Sequence, residues 1–142
     1  MRLAVLALAL ILGAAHANAQ DIVQPPRGSA LRAELMDAAR PTFEREIGGP
    51  IEFVVRRLNV WGEWAYGNVT PQRRGGRAID WRQTRFAEDF KAGAFAASVS
   101  LFLLRRGGSG RWEMVEYAIG PTDVAWDWWR QQLDLPSALF EL

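Results

Sequence analysis

The feature that most constrains this chain is residues 98–120, SVSLFLLRR-GGSG-RWEMVEYAIG. Two apolar-rich runs flank a four-residue Gly/Ser connection of ordinary hairpin length, so they read as paired antiparallel strands. Val99, Leu101 and Leu103 mark one face of the first strand, and Val115, Tyr117 and Ile119 one face of the second. Phe102, Leu104, Trp112 and Met114 make the opposite face apolar as well. Side chains alternate across a strand, so a sheet apolar on both sides needs a cover on each side, or a pocket on one.

The remaining segments can supply those covers. Leu31, Leu35, Ala39, Phe43 and Ile47 recur every four residues behind Ser29, a good N-cap, and predict an amphipathic helix. Pro41 either kinks that helix or starts a second one, and Gly48-Gly49-Pro50 ends it. From Ile51 the period becomes two, with a slip at Arg56-Arg57 that a β-bulge would explain. Trp61-Gly62-Glu63 offers a turn into a returning strand, with Trp64 and Tyr66 on one face and Ala65, Gly67 and Val69 on the other. A short helix is expected around Phe86 and Phe90, capped by Thr84 and closed by Gly93. A last one is expected after Thr122 or Asp123, with Trp126, Trp129 and Leu133 in a stripe, stopped by Pro136. The expected fold is α+β: an N-terminal helix on a curved antiparallel sheet of about four strands, a short helix between two hairpins, and a Trp-rich C-terminal helix.

The ends of the chain bear on its chemistry. Arg2, the apolar run from Leu3 to Leu12 and the Ala17-Asn18-Ala19 pattern predict a cleaved signal peptide over residues 1–19, followed by an extended lead-in (20–28) and one domain (29–142). Ten apolar residues cover about half of a bilayer core, so a transmembrane anchor is not expected in the mature chain. A periplasmic or secreted protein follows from this reading. Cleavage removes His16, the single histidine, and the chain contains no cysteine. The mature protein therefore has neither imidazole nor thiol, which excludes Ser-His-Asp and Cys-His centres and disfavours zinc, haem and iron–sulfur sites. No catalytic residue, metal site or cofactor is expected, and disulfides cannot form. A net charge of +1 gives no reason to expect nucleic acid as a partner.

The groups that remain are carboxylates, arginines and tryptophans. Glu113 and Glu116 have opposite parity on one strand and are expected on opposite faces; Asp123 and Asp127, four apart, suit the positive end of the last helix. Arg73, Arg74 and Arg77 share a loop that is either a solvated turn or a contact for phosphate groups or an acidic partner. Trp126, Trp128 and Trp129 cannot all face one way on a helix. They either pack at a helix–sheet seam or, with Trp61 and Trp64, present an aromatic platform.

The order of a long helix followed by two hairpins, with Arg111 to Tyr117 as the closing strand after a Gly-rich turn, resembles the cystatin-like arrangement that nuclear transport factor 2-like domains elaborate. The passage from Ala118 to Val124 is similar to that of a family of small exported bacterial proteins of uncharacterised function. The resemblance implies a sheet wrapped around the N-terminal helix, with any ligand or active site in the cone between them. Enzymes of the nuclear transport factor 2-like class place Asp, His or Tyr there; this mature chain offers carboxylates and Tyr66 or Tyr117, but no His. Two functions are therefore carried forward. The first is a non-enzymatic binding domain of the envelope, taking an envelope protein, a peptide or a small apolar ligand. The second is a small enzyme using carboxylate and Tyr acid–base chemistry. Self-association through the sheet edge is a third route.

Overall fold

The computed structural model describes residues 21–141; residues 1–19, expected to form a signal peptide, lie outside them. A long helix, α1 (Ala30–Ile47), precedes an open four-stranded antiparallel sheet, β1 (Glu52–Trp61), β2 (Trp64–Gln72), β3 (Ser100–Arg106) and β4 (Trp112–Ile119), in the order β1-β2-β3-β4. The five-residue α2 (Ala87–Lys91) lies between the hairpins, and α3 (Ala125–Gln132) with a 3₁₀ turn (Ser137–Leu139) follows the sheet.

Local chemistry accounts for the element boundaries. The Ser29 hydroxyl accepts from the Arg32 N–H and caps α1, while the Gly48 N–H returns to the Glu44 carbonyl at its other end. The helix runs as one element through Pro41, so no second helix begins there. Two expected caps are replaced. Thr84 accepts from the Phe86 N–H but stands two residues before the cap position, and α2 begins behind Phe86. Val124, not Thr122 or Asp123, occupies the N-cap of α3, which ends at Gln132, four residues ahead of Pro136, where Asp134 takes a left-handed φ of 50°.

Both faces of the sheet are covered. α1 packs mainly across β3 and β4, and the layer between is filled by fully buried Leu35, Ala39, Phe43, Phe102 and Leu104. The opposite face carries Tyr66, Leu101 and Leu103 under Trp129, Leu135, Leu139 and Phe140 from the C-terminal segment. The bulge in β1 falls between Val55 and Arg57, where the apolar period slips.

A second bulge changes the predicted faces of β4. Leu103 pairs with Glu116 and Leu104 with Met114, leaving Val115 unpaired. The extra residue reverses the parity, so Tyr117 and Ile119 join Met114 on the α1 face, with Tyr117 6.4 Å from the Phe43 ring. By the same shift Glu113, opposite Arg105, and Glu116, opposite Leu103, share the other face instead of pointing apart.

Candidate functional site

The site is built on the face away from α1. Row by row across the sheet, this face presents Arg57, Asn68, Leu101 and Ala118, then Asn59, Tyr66, Leu103 and Glu116, then Trp61, Trp64, Arg105 and Glu113. The first two rows are polar on β1 and β2 and largely apolar on β3. The C-terminal tail is fastened to the polar half: the Asn59 amide donates to the Leu139 carbonyl (2.9 Å) and the Glu141 carbonyl (3.3 Å). That anchoring places Phe140 against Tyr66, with ring centroids 4.9 Å apart, and lets Trp126 stack on Phe140 at 5.6 Å and 18°.

Between this aromatic wall and β3 lies a groove of about 470 Å³, lined by Tyr66, Asn68, Val99, Leu101, Trp126 and Phe140, with Asp123, Val124 and Glu141 completing it. Its volume falls within the span of small-ligand pockets, roughly 300–1,000 Å³. The Asn68 Oδ1 is buried and has no hydrogen-bond partner. An unmet buried acceptor costs about 1–3 kcal/mol, and the cross-strand neighbour of Asn68, Arg57, likewise has a buried Nε without a partner.

Burial pushes the Tyr66 phenol up to about 12, against the opposing pull of the Arg57 charge. A phenol held neutral so far above pH 7 is poorly suited to act as a base. The shift also makes stability depend on alkali. The folded protein retains a proton that the unfolded chain, with an ordinary phenol near 10, gives up. Stability is thus complete below pH 10 and falls as pH rises toward 12, by on the order of 2–3 kcal/mol. Urea unfolding at pH 9 and pH 11.5 measures it; Tyr66→Phe is expected to flatten the decline.

The sequence-derived candidates separate into groups. Trp126 lines the groove. Trp129, one position from Trp128, is buried in the cluster beneath the C-terminal segment, and Trp128 is 64% exposed. Trp61 and Trp64 pair across the first hairpin and pack along the same cluster, with the Arg105 guanidinium 5.1 Å from the Trp64 ring, but neither lines the groove. The Arg73–Arg77 loop follows the far end of β2, eight residues or roughly 27 Å of strand from Trp64. There the Arg73 side chain donates to the Gly48 and Pro50 carbonyls, while Arg74 and Arg77 are exposed. The Arg loop and the Trp group thus form no common site. Asp127 is engaged by Arg130 (3.0 Å) and Gln131 (2.9 Å).

Sequence reasoning did not single out Asn68, Val99, Leu101 and Phe140 as one set. The signal was present in parity, since 66 and 68 share a face, as do 99 and 101; what joins them to residue 140 is long-range. Among the described residues no group of three or more acidic or histidine side chains could hold a metal ion, and no helix is long and apolar enough to cross a membrane. No protein-family model, curated protein or solved structure matches this chain.

Proposed function

We propose that this protein is an exported, non-enzymatic binding module of the bacterial envelope, which takes an apolar ligand bearing a hydrogen-bond donor into the groove between its C-terminal tail and β3. The observation that carries this reading is a groove walled mainly by Tyr66, Val99, Leu101, Val124, Trp126 and Phe140, with Asp123 and Glu141 also lining it; it includes Asn68, whose amide oxygen has no hydrogen-bond partner in the fold. Largely apolar walls with a few polar groups, here Asn68, Tyr66, Asp123 and Glu141, are the usual composition of small-molecule sites. The neutral Tyr66 phenol also disfavours a role for it as a general base. The order of α1 and the two hairpins supports the cystatin-like resemblance, but the proposed groove lies on the face away from α1 and not in the cone that the resemblance implies, which Phe43, Phe102 and Leu104 fill. The pattern of residues 1–19 supports export.

N-phenyl-1-naphthylamine, an apolar aromatic amine with one N–H donor, is a suitable probe. Purified protein is expected to enhance its fluorescence saturably, with a Kd on the order of micromolar. Val124→Trp, which narrows the groove, should weaken binding about tenfold, and Trp128→Ala, at a residue outside it, should not. No saturable enhancement, or equal losses in the two variants, would overturn the reading. For export, mass spectrometry of the native protein should find an N-terminus near Gln20; a chain starting at Met1 would contradict it.

A further inference from the structure

A second hollow, of about 310 Å³, lies at the outer edge of β1 and is lined by Arg27, Arg32, Arg56 and Arg57 together with uncharged Gln24, Pro25, Pro26, Val55 and Leu58. We propose that it is a phosphoryl-binding site. Its composition sets it apart from the rest of the surface. Eight other basic side chains lie within 4 Å of a carboxylate; these four, like Arg73, Arg74, Arg77 and Arg111, have none so placed among the described residues, and what distinguishes them is that all four line one hollow. The hollow's lining includes no acidic residue, although the whole chain is nearly neutral, with a formal net charge of +1. Four like charges gathered without a counter-charge repel one another, and a bound anion relieves that repulsion.

The backbone is arranged to bring the four together. In a regular strand the consecutive Arg56 and Arg57 would leave opposite faces of the sheet; the bulge between Val55 and Arg57 breaks that alternation, and both line the same hollow. The lead-in forms the outer wall. Val23 and Val60 exchange two backbone hydrogen bonds of 2.8 Å, which pin residues 24–27 beside the edge strand. Two forks are oriented by the fold: Arg32 donates to the Pro25 carbonyl (3.3 Å) and Arg56 Nε to the Thr70 hydroxyl (3.2 Å), each retaining further N–H donors. The Arg57 Nε is buried without a partner. Planar guanidinium forks match tetrahedral oxyanions bidentately, and four of them suit a dianion with three free oxygens better than a single carboxylate.

The test is isothermal titration of the purified protein with inorganic phosphate, phenyl phosphate and acetate at equal ionic strength, alongside sedimentation with phosphatidylglycerol and phosphatidylcholine vesicles. Saturable binding of phosphate or phenyl phosphate with a Kd below about 10 mM is expected, with acetate at least about tenfold weaker. Arg57→Gln and Arg56→Gln should each weaken it about tenfold, and Arg74→Gln, in the exposed loop, less than about twofold. Without phosphate, Arg57→Gln should leave the melting temperature unchanged or raise it, because it removes one of four repelling charges. A fall would show that the guanidinium serves the fold, and the Arg56→Gln titration would then decide the site. Co-sedimentation with phosphatidylglycerol alone, competed by phenyl phosphate, identifies a lipid headgroup as the source; phosphate binding without co-sedimentation identifies a free phosphate or phosphate ester. No saturable phosphate binding, acetate binding as tightly, or an equal loss in Arg74→Gln would overturn the proposal.

Discussion

Gly67→Ala is expected to destabilise the protein by about 3 kcal/mol, at the upper end of what overpacking a dense core usually costs. Gly67 pairs with Phe102 across β2 and β3, and the aromatic ring lies directly over it: a Cβ built at this position overlaps Cζ, Cε1 and Cε2 of Phe102. The ring has no free space to retreat into. It is fully buried, and Phe43 (6.3 Å) and Phe53 (6.4 Å) stand beside it in the layer beneath α1. The glycine is therefore required by close approach and not by backbone conformation. Shortening the partner tests this. In a Phe102→Leu background, Gly67→Ala should cost at least about 1 kcal/mol less than in the wild type, measured as a coupling energy from urea unfolding. An additive result would show that the ring does not limit this position.

The second large effect separates two adjacent tryptophans. Trp129→Ala should lower stability by about 3–5 kcal/mol, the usual range for removing a buried aromatic side chain, whereas Trp128→Ala should change it by less than about 0.5 kcal/mol. Trp129 is 5% exposed and packs in the cluster with Tyr66, Leu101, Leu103, Leu135, Leu139 and Phe140; Trp128 is 64% exposed. Denaturant midpoints of the two variants read the difference directly. Comparable losses would mean that the C-terminal segment does not cover the sheet in this orientation. The groove shares that cover, so Trp129→Ala is also expected to abolish binding of the naphthylamine probe, while Trp128→Ala preserves it.

The candidate sites were less legible than the elements that carry them. Trp126 is recognisable from its neighbours, yet its partner in the groove wall is Phe140, fourteen residues on, and the residues facing that wall belong to β2 and β3. Arg73, Arg74 and Arg77 attract attention because they are close in sequence; the basic hollow instead collects Arg27 and Arg32 with Arg56 and Arg57. Proximity along the chain is a poor guide to charge clustering, because strand pairing and the lead-in bring distant segments to one edge.

The features legible along the chain are local and periodic: the amphipathic face of α1 behind its Ser29 cap, the two hairpins and their connections, the bulge at Arg56, and the need to cover both faces of the sheet. Each follows from propensities and spacings within a few residues, where backbone geometry leaves few alternatives. Tertiary structure alone decided the side to which Tyr117, Glu113 and Glu116 point, because the unpaired Val115 is defined by a register with β3 that β4 does not carry in its own period. It also decided which tryptophan is buried, and brought Asn68 and Phe140 to one groove. These outcomes depend on how segments far apart in the chain meet, and no local pattern encodes that meeting.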